Sequence, residues 1–143
     1  MSGSNSETAM TGGCMCGAVR FTAAGDPNWV AHCHCTDCRR ATGAAFSTYA
    51  GFPKTKVRFD AETPPGRPSS SGVMRRFCPQ CGTPISYEGE RWADEIHLFI
   101  GTLDDPAQLE PTAHVYTSEQ LPWVQLADGL PKFSKTSDSQ TVC

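Results

Sequence analysis

Seven of the eight cysteines in this 143-residue chain fall into three clusters: Cys14-Met-Cys16, Cys33-His-Cys35-Thr-Asp-Cys38 and Cys78-Pro-Gln-Cys81-Gly. Cys143, the last residue, stands apart and reads as incidental. The proline and glycine of a CPxCG segment shape a tight turn that aims both sulfurs at one ion. A CxC pair converges as well, because residues two apart on an extended chain share a face. A closed tetrahedral zinc site takes four thiolates at about 2.3 Å. Pairing CxC with CPxCG is the simplest of several ways to supply them, and it leaves Cys33, Cys35 and Cys38 as three. Three protein ligands are the signature of a catalytic zinc, whose fourth position stays open to water or to a thiol held as thiolate. Other readings of the same cysteines are a second closed site completed by His32, His34, His97, His114 or Cys143, a disulfide, and a single zinc with a spare reactive cluster.

The residues beside the clusters extend this chemistry. Arg39 and Arg40 follow Cys38 directly. Either can grip a carboxylate of a peptide-like thiol bidentately, or only compensate a thiolate-rich centre. Arg75 and Arg76 precede Cys78 and are expected to compensate the four-cysteine site. His34, between two ligands, is a donor to the metal shell or a surface histidine. Asp37 is a candidate for proton transfer, and Phe46 and Tyr49 either line a cleft or fill a sheet.

The elements that must carry these residues are short. Val19/Phe21, Phe46 to Ala50, Val57/Phe59 and Ile96 to Ile100 alternate with polar neighbours, and His114–Tyr116 and Trp123–Leu126 add two brief candidates. Such alternation bounded by Gly, Pro and Asp predicts half-buried strands. Helical turns are expected only at Thr36 to Thr42 and Asp105 to Leu109, so the fold class is mainly β. Residues 1–11 read as a flexible tail, residues 134–143 as another, and Ala61 to Gly72, rich in Pro, Gly and Ser, as a loop. Leu, Ile, Val and Phe make up about 16% of the chain, a lean core that calls for staples. A net charge of −3 argues against a nucleic-acid footprint. The absence of a long apolar run argues against a membrane span. The polar N-terminal stretch lacks a secretory pattern, so a cytoplasmic protein with reduced, metal-ligating cysteines is expected.

With the clusters in order, the chain resembles the glutathione-dependent formaldehyde-activating enzymes, whose domain is shared with the centromere protein V group. The resemblance rests on Gly13-Cys14-Met15-Cys16-Gly17-Ala18-Val19-Arg20-Phe21, on Cys33 to Arg40 with Gly43 and Phe46, on Arg76 to Thr83, and on His114 and Pro122-Trp123. It spans residues 12–133 as one domain. It implies an Mss4-like fold of twisted antiparallel sheets with zinc-stapled loops and two zinc ions per chain. The structural ion would sit on Cys14, Cys16, Cys78 and Cys81, and the catalytic ion on Cys33, Cys35 and Cys38. It also implies a carbon–sulfur lyase acting on glutathione, or a similar thiol, and a small aldehyde, with S-(hydroxymethyl)glutathione as the adduct. Arg39, Arg40, Phe46, His114 and Trp123 are the candidate substrate-binding residues. The competing reading is a non-catalytic zinc-binding interaction module.

Overall fold

In the computed structural model, which describes residues 8–136, ten strands form two sheets, and the α-helix is one short element, α1 (Thr36–Thr42). The smaller sheet has the order β1 (Ala9–Gly13), β2 (Arg20–Ala24), β5 (Val57–Phe59). The larger runs β10 (His114–Val115), β3 (Trp29–Cys33), β4 (Ser47–Pro53), β9 (Glu95–Phe99), β8 (Pro84–Gly89), β7 (Val73–Phe77), β6 (Gly66–Ser70). Every pairing is antiparallel except that of β10 with β3, where His114 lies opposite His32 and Val115 opposite Cys33.

The central strands of the large sheet are buried on both faces, and their alternation feeds two clusters. Ala50 and Phe52 of β4, with Ile96 and Leu98 of β9, join Phe21, Ile85 and Leu103 in an aliphatic core between the sheets. Tyr49 and Phe99, their neighbours of opposite parity, join Cys33, Cys35, Cys38, Tyr87 and Val115 on the other side. One face therefore holds the fold together while the other surrounds a cysteine cluster.

The alternating segments formed the expected strands at β2, β4, β5, β9 and β10, and α1 has the expected bounds. Three expectations need correction. Residues 9–11, expected as tail, are in β1, where Met10 is buried. Gly66–Ser70, inside the expected loop, is edge strand β6; Pro68 is tolerated there because an edge strand has one free hydrogen-bonding side. Trp123–Leu126 forms no strand, and Trp123 is 69% exposed. Its apolar positions had no neighbouring strand to pair with, and alternation alone does not supply one. At the C-terminal end, Tyr116 N–H donates to the Lys135 carbonyl and Ser118 N–H to that of Ser134. Residues 137–143, Cys143 among them, lie outside the described residues. No helix among those described is long and apolar enough to cross a membrane.

Candidate metal centres and the adjoining cavity

The first centre is built by two matching turns. Cys14 and Cys16 lie on the β1–β2 connection, and Cys78 and Cys81 on the β7–β8 connection, so the group joins the two sheets. In each turn a glycine takes the left-handed conformation, Gly17 at φ 85° and Gly82 at φ 80°, which lets the chain fold back over its own sulfur. Backbone N–H groups point inward: Val19 N–H donates to Cys14 Sγ at 3.2 Å, and those of Gln80 and Cys81 to Cys78 Sγ at 3.4 Å. Cys14 Sγ is 3.6 Å from Cys16 Sγ, which is 3.8 Å from Cys78 Sγ. Sulfurs around a tetrahedral zinc with bonds of about 2.3 Å are separated by about 3.8 Å, so the spacing already suits the ion. The Thr83 hydroxyl, helped by the Thr83 amide, holds the Cys81 thiol down at about 5, on the way to the thiolate a metal requires. The residues fit a closed four-thiolate site.

The second centre sits where β3 runs into α1. Cys33 ends the strand, Cys35 is the N-cap and Cys38 lies in the first turn. Cys35 Sγ accepts from the Cys38 amide at 3.3 Å, and Asp37 in the first turn and left-handed Gly43 at the C-cap complete a well-terminated helix. The cap thereby draws Cys35 toward Cys38, whose sulfur is 3.5 Å from that of Cys33. All three are buried, and their sulfurs lie within 4.8 Å of one another. No other described His, Cys, Asp or Glu belongs to this group. Cys35 and Cys38 are free thiols.

The electrostatics of the second centre favour thiolate at Cys38. Its thiol is lowered first by the hydrogen bond with Cys35 and, against the cost of burial, by the Tyr49 hydroxyl and Arg75. Cys35 is raised by that same hydrogen bond and by burial. The Tyr49 hydroxyl donates to Cys38 Sγ at 3.3 Å, and Arg75 Nη1 donates to Tyr49 Oη at 3.1 Å. Arg75 also lies over the Tyr87 ring, 5.1 Å from its centroid. Arg75 thus serves the three-cysteine centre, correcting the expectation that it compensates the other. Arg76 pairs with Glu88 at 2.7 Å and donates to the Pro64 carbonyl, so it serves neither.

A cavity of about 470 Å³ adjoins this centre, with walls from α1, β6, β7 and β8. Arg40, Arg67, Arg75 and Arg76 face it opposite one acidic group, Asp37, with Phe99 supplying apolar wall. Arg75 connects the cavity to Tyr49 and through it to Cys38. Among the five candidate substrate residues, Arg40 lines the cavity, while Arg39 Nη2 turns back to Thr36 Oγ1 at 3.0 Å. Phe46 and His114 lie elsewhere: the Phe46 ring packs on His32 and His34. His114 Nδ1 is 2.9 Å from His34 Nε2, and its Nε2 is 2.7 Å from Asp128 Oδ2. Trp123 is on the surface. Burial, and then the nearby imidazoles of His114 and His32, push His34 down to about 4, so its ring is neutral near pH 7. Sequence reasoning missed Arg67 and Asp128 and misassigned Arg75; the one visible signal was the basic pair just before Cys78.

Residues 9–119 match the family described as glutathione-dependent formaldehyde-activating enzyme. A protein of Halomonas elongata is 26% identical over 133 residues, covering 82% of this chain and 80% of its own, and its name assigns it provisionally to the same enzymes. A structural-genomics crystal structure of a Rhodobacter sphaeroides protein superposes with a TM-score of 0.55, covering 86% of this chain and 99% of its own at 20% identity, which supports the fold. With the match running from β1 through all three cysteine clusters to the segment after β10, the chain belongs to the glutathione-dependent formaldehyde-activating enzyme family.

Proposed function

We propose that this protein is a zinc-dependent carbon–sulfur lyase that makes and breaks the bond between an anionic thiol, glutathione or a close relative, and formaldehyde. The observation that carries the reading is the placement of a buried three-sulfur group beside an arginine-lined cavity. Cys14, Cys16, Cys78 and Cys81 would hold a structural zinc, and Cys33, Cys35 and Cys38 a catalytic one. Held there, zinc would supply one thing: it would keep an incoming thiol in its nucleophilic thiolate form at neutral pH.

The rest falls to the chain's own groups. Arg40 and Arg67, which line the cavity, would bind carboxylates of the thiol substrate, and Arg forks suit that task better than ammonium groups. Arg75 and the Tyr49 hydroxyl hold negative charge on Cys38. Phe99 and the buried tyrosines keep water from the sulfurs. The substrate thiol gives its proton to solvent and its sulfur attacks the carbonyl carbon of formaldehyde; the C–S bond forms as the C=O π bond opens, and the oxygen takes a proton from solvent to give the S-hydroxymethyl adduct. The reverse step breaks the same bond and returns that proton.

Exchange spectroscopy by NMR on glutathione and formaldehyde with reduced, zinc-loaded protein tests the reading. Faster exchange than in buffer, lost in Cys35→Ser, is expected. Two tightly held zinc ions without any acceleration would instead favour a non-catalytic zinc-binding module.

A further inference from the structure

Three ligand groups converge outside the cysteine clusters. His32 on β3 and His114 on β10 are register partners on adjacent parallel strands, so their side chains leave the same face of the sheet. Their rings stack with centroids 4.6 Å apart and planes 24° apart. Asp128 brings its carboxylate to the same place: Oδ2 lies 2.7 Å from His114 Nε2, and Oδ1 accepts from the Leu130 amide at 3.1 Å. One ligand atom from each of the three residues lies within 4.8 Å of the other two.

The other ring nitrogen of each histidine faces a group able to accept its proton. A ligating imidazole offers one lone pair and carries its proton on the second nitrogen, which needs a neighbour to accept it. His32 Nδ1 has Thr48 Oγ1 at 2.8 Å, and His114 Nδ1 has His34 Nε2 at 2.9 Å. Both rings are therefore already fixed from behind, each leaving its Nε2 for another partner. His114 is buried, His32 half-buried and Asp128 exposed, so the group is anchored in the sheet yet open to solvent on one side.

We propose that His32, His114 and Asp128 form a third metal site, separate from the cysteine clusters, that takes a divalent transition-metal ion such as Zn²⁺, Co²⁺ or Ni²⁺. Two imidazoles and a carboxylate are a donor set for ions of this class rather than for Mg²⁺ or Ca²⁺. The ion ties the loop around Asp128 to the β3–β10 edge, one residue from Cys33. It also sets the tautomers behind it: with His114 Nε2 ligating, its proton sits on Nδ1 and His34 accepts at Nε2.

Cobalt(II) added to the reduced, zinc-loaded, full-length protein tests the site, because cobalt reports its ligands by colour. A saturable visible band at one equivalent, without the near-ultraviolet charge-transfer band of a cobalt thiolate, is the expected result. Asp128→Asn keeps an acceptor for the His114 ring proton but loses the anionic ligand, and it should weaken this binding tenfold or more. His32→Gln should do the same. The absence of a saturable band, a band dominated by thiolate charge transfer, or equal affinity in the wild type and both variants overturns the proposal; Asp128 then acts only as a hydrogen-bond partner that orients His114. Both variants spare every cysteine, so failure of the cysteine centres registers separately, in the thiolate band.

Discussion

The two cysteine groups present the same ligand atom in contrasting settings. The four-cysteine group lies between the sheets, with Cys16 and Cys81 at the surface, and its backbone turns supply the N–H donors. The three-cysteine group is wholly buried, leans on a helix cap, and has a tyrosine, an arginine and a cavity as neighbours. A closed shell needs only geometry, and two short turns provide it. An open shell also needs a way in, a countercharge and exclusion of water, and these come from side chains distant in sequence. On the proposed function, the difference separates a staple from a site.

The largest expected effect breaks the staple. Cys81→Ser should lose its zinc and unfold, since structural zinc contributes on the order of 10 kcal/mol in small domains, comparable with the whole stability of a fold. Cys35→Ser should lose one zinc and all activity while keeping its circular dichroism spectrum and melting transition; equal unfolding by both would erase the distinction between the groups. Next, Arg75→Met removes the cation behind Tyr49 and Cys38. Metal competition should show the second zinc held about 10–100-fold more weakly, with the first unaffected.

A smaller effect is expected at Arg67, on the cavity wall but away from the sulfurs. Arg67→Ala should raise KM for glutathione about tenfold with kcat little changed, the mark of lost uniform binding. Smallest is the ion pair that ties β2 to the segment after β9. Arg20 Nη1 donates to Asp104 Oδ1 at 2.9 Å, and this hydrogen bond holds the Asp104 carboxyl down at about 2. A depressed carboxyl stabilises the fold above its ordinary titration range near 4, and this contribution fades as pH falls toward 2. Asp104→Asn should therefore melt slightly below the wild type at pH 7, with the gap closing in thermal scans between pH 4 and pH 2.

Much of the staple was legible in the sequence because its determinants are local. CxC and CPxCG each close within four residues, and the glycines that turn the chain stand beside the cysteines. The helix at Cys38 was expected with the bounds it has, Thr36–Thr42. What surrounds the three-cysteine group was not. Arg75 reaches Tyr49 across 26 positions, and His34 meets His114 across 80. Those contacts follow from the order of strands in the large sheet, which no single segment encodes. Trp123 shows the converse: the resemblance offered it as a substrate-binding ring, and it lies on the surface away from the cavity.

Cadmium NMR of the reduced protein, with cadmium in the cysteine centres, tests the division between closed and open groups most directly. The account predicts two sulfur-bound resonances. One should be indifferent to glutathione and vanish in Cys81→Ser. The other should move toward the four-sulfur range as glutathione is added and vanish in Cys35→Ser. A single sulfur-bound resonance, or two that both ignore glutathione, would contradict it.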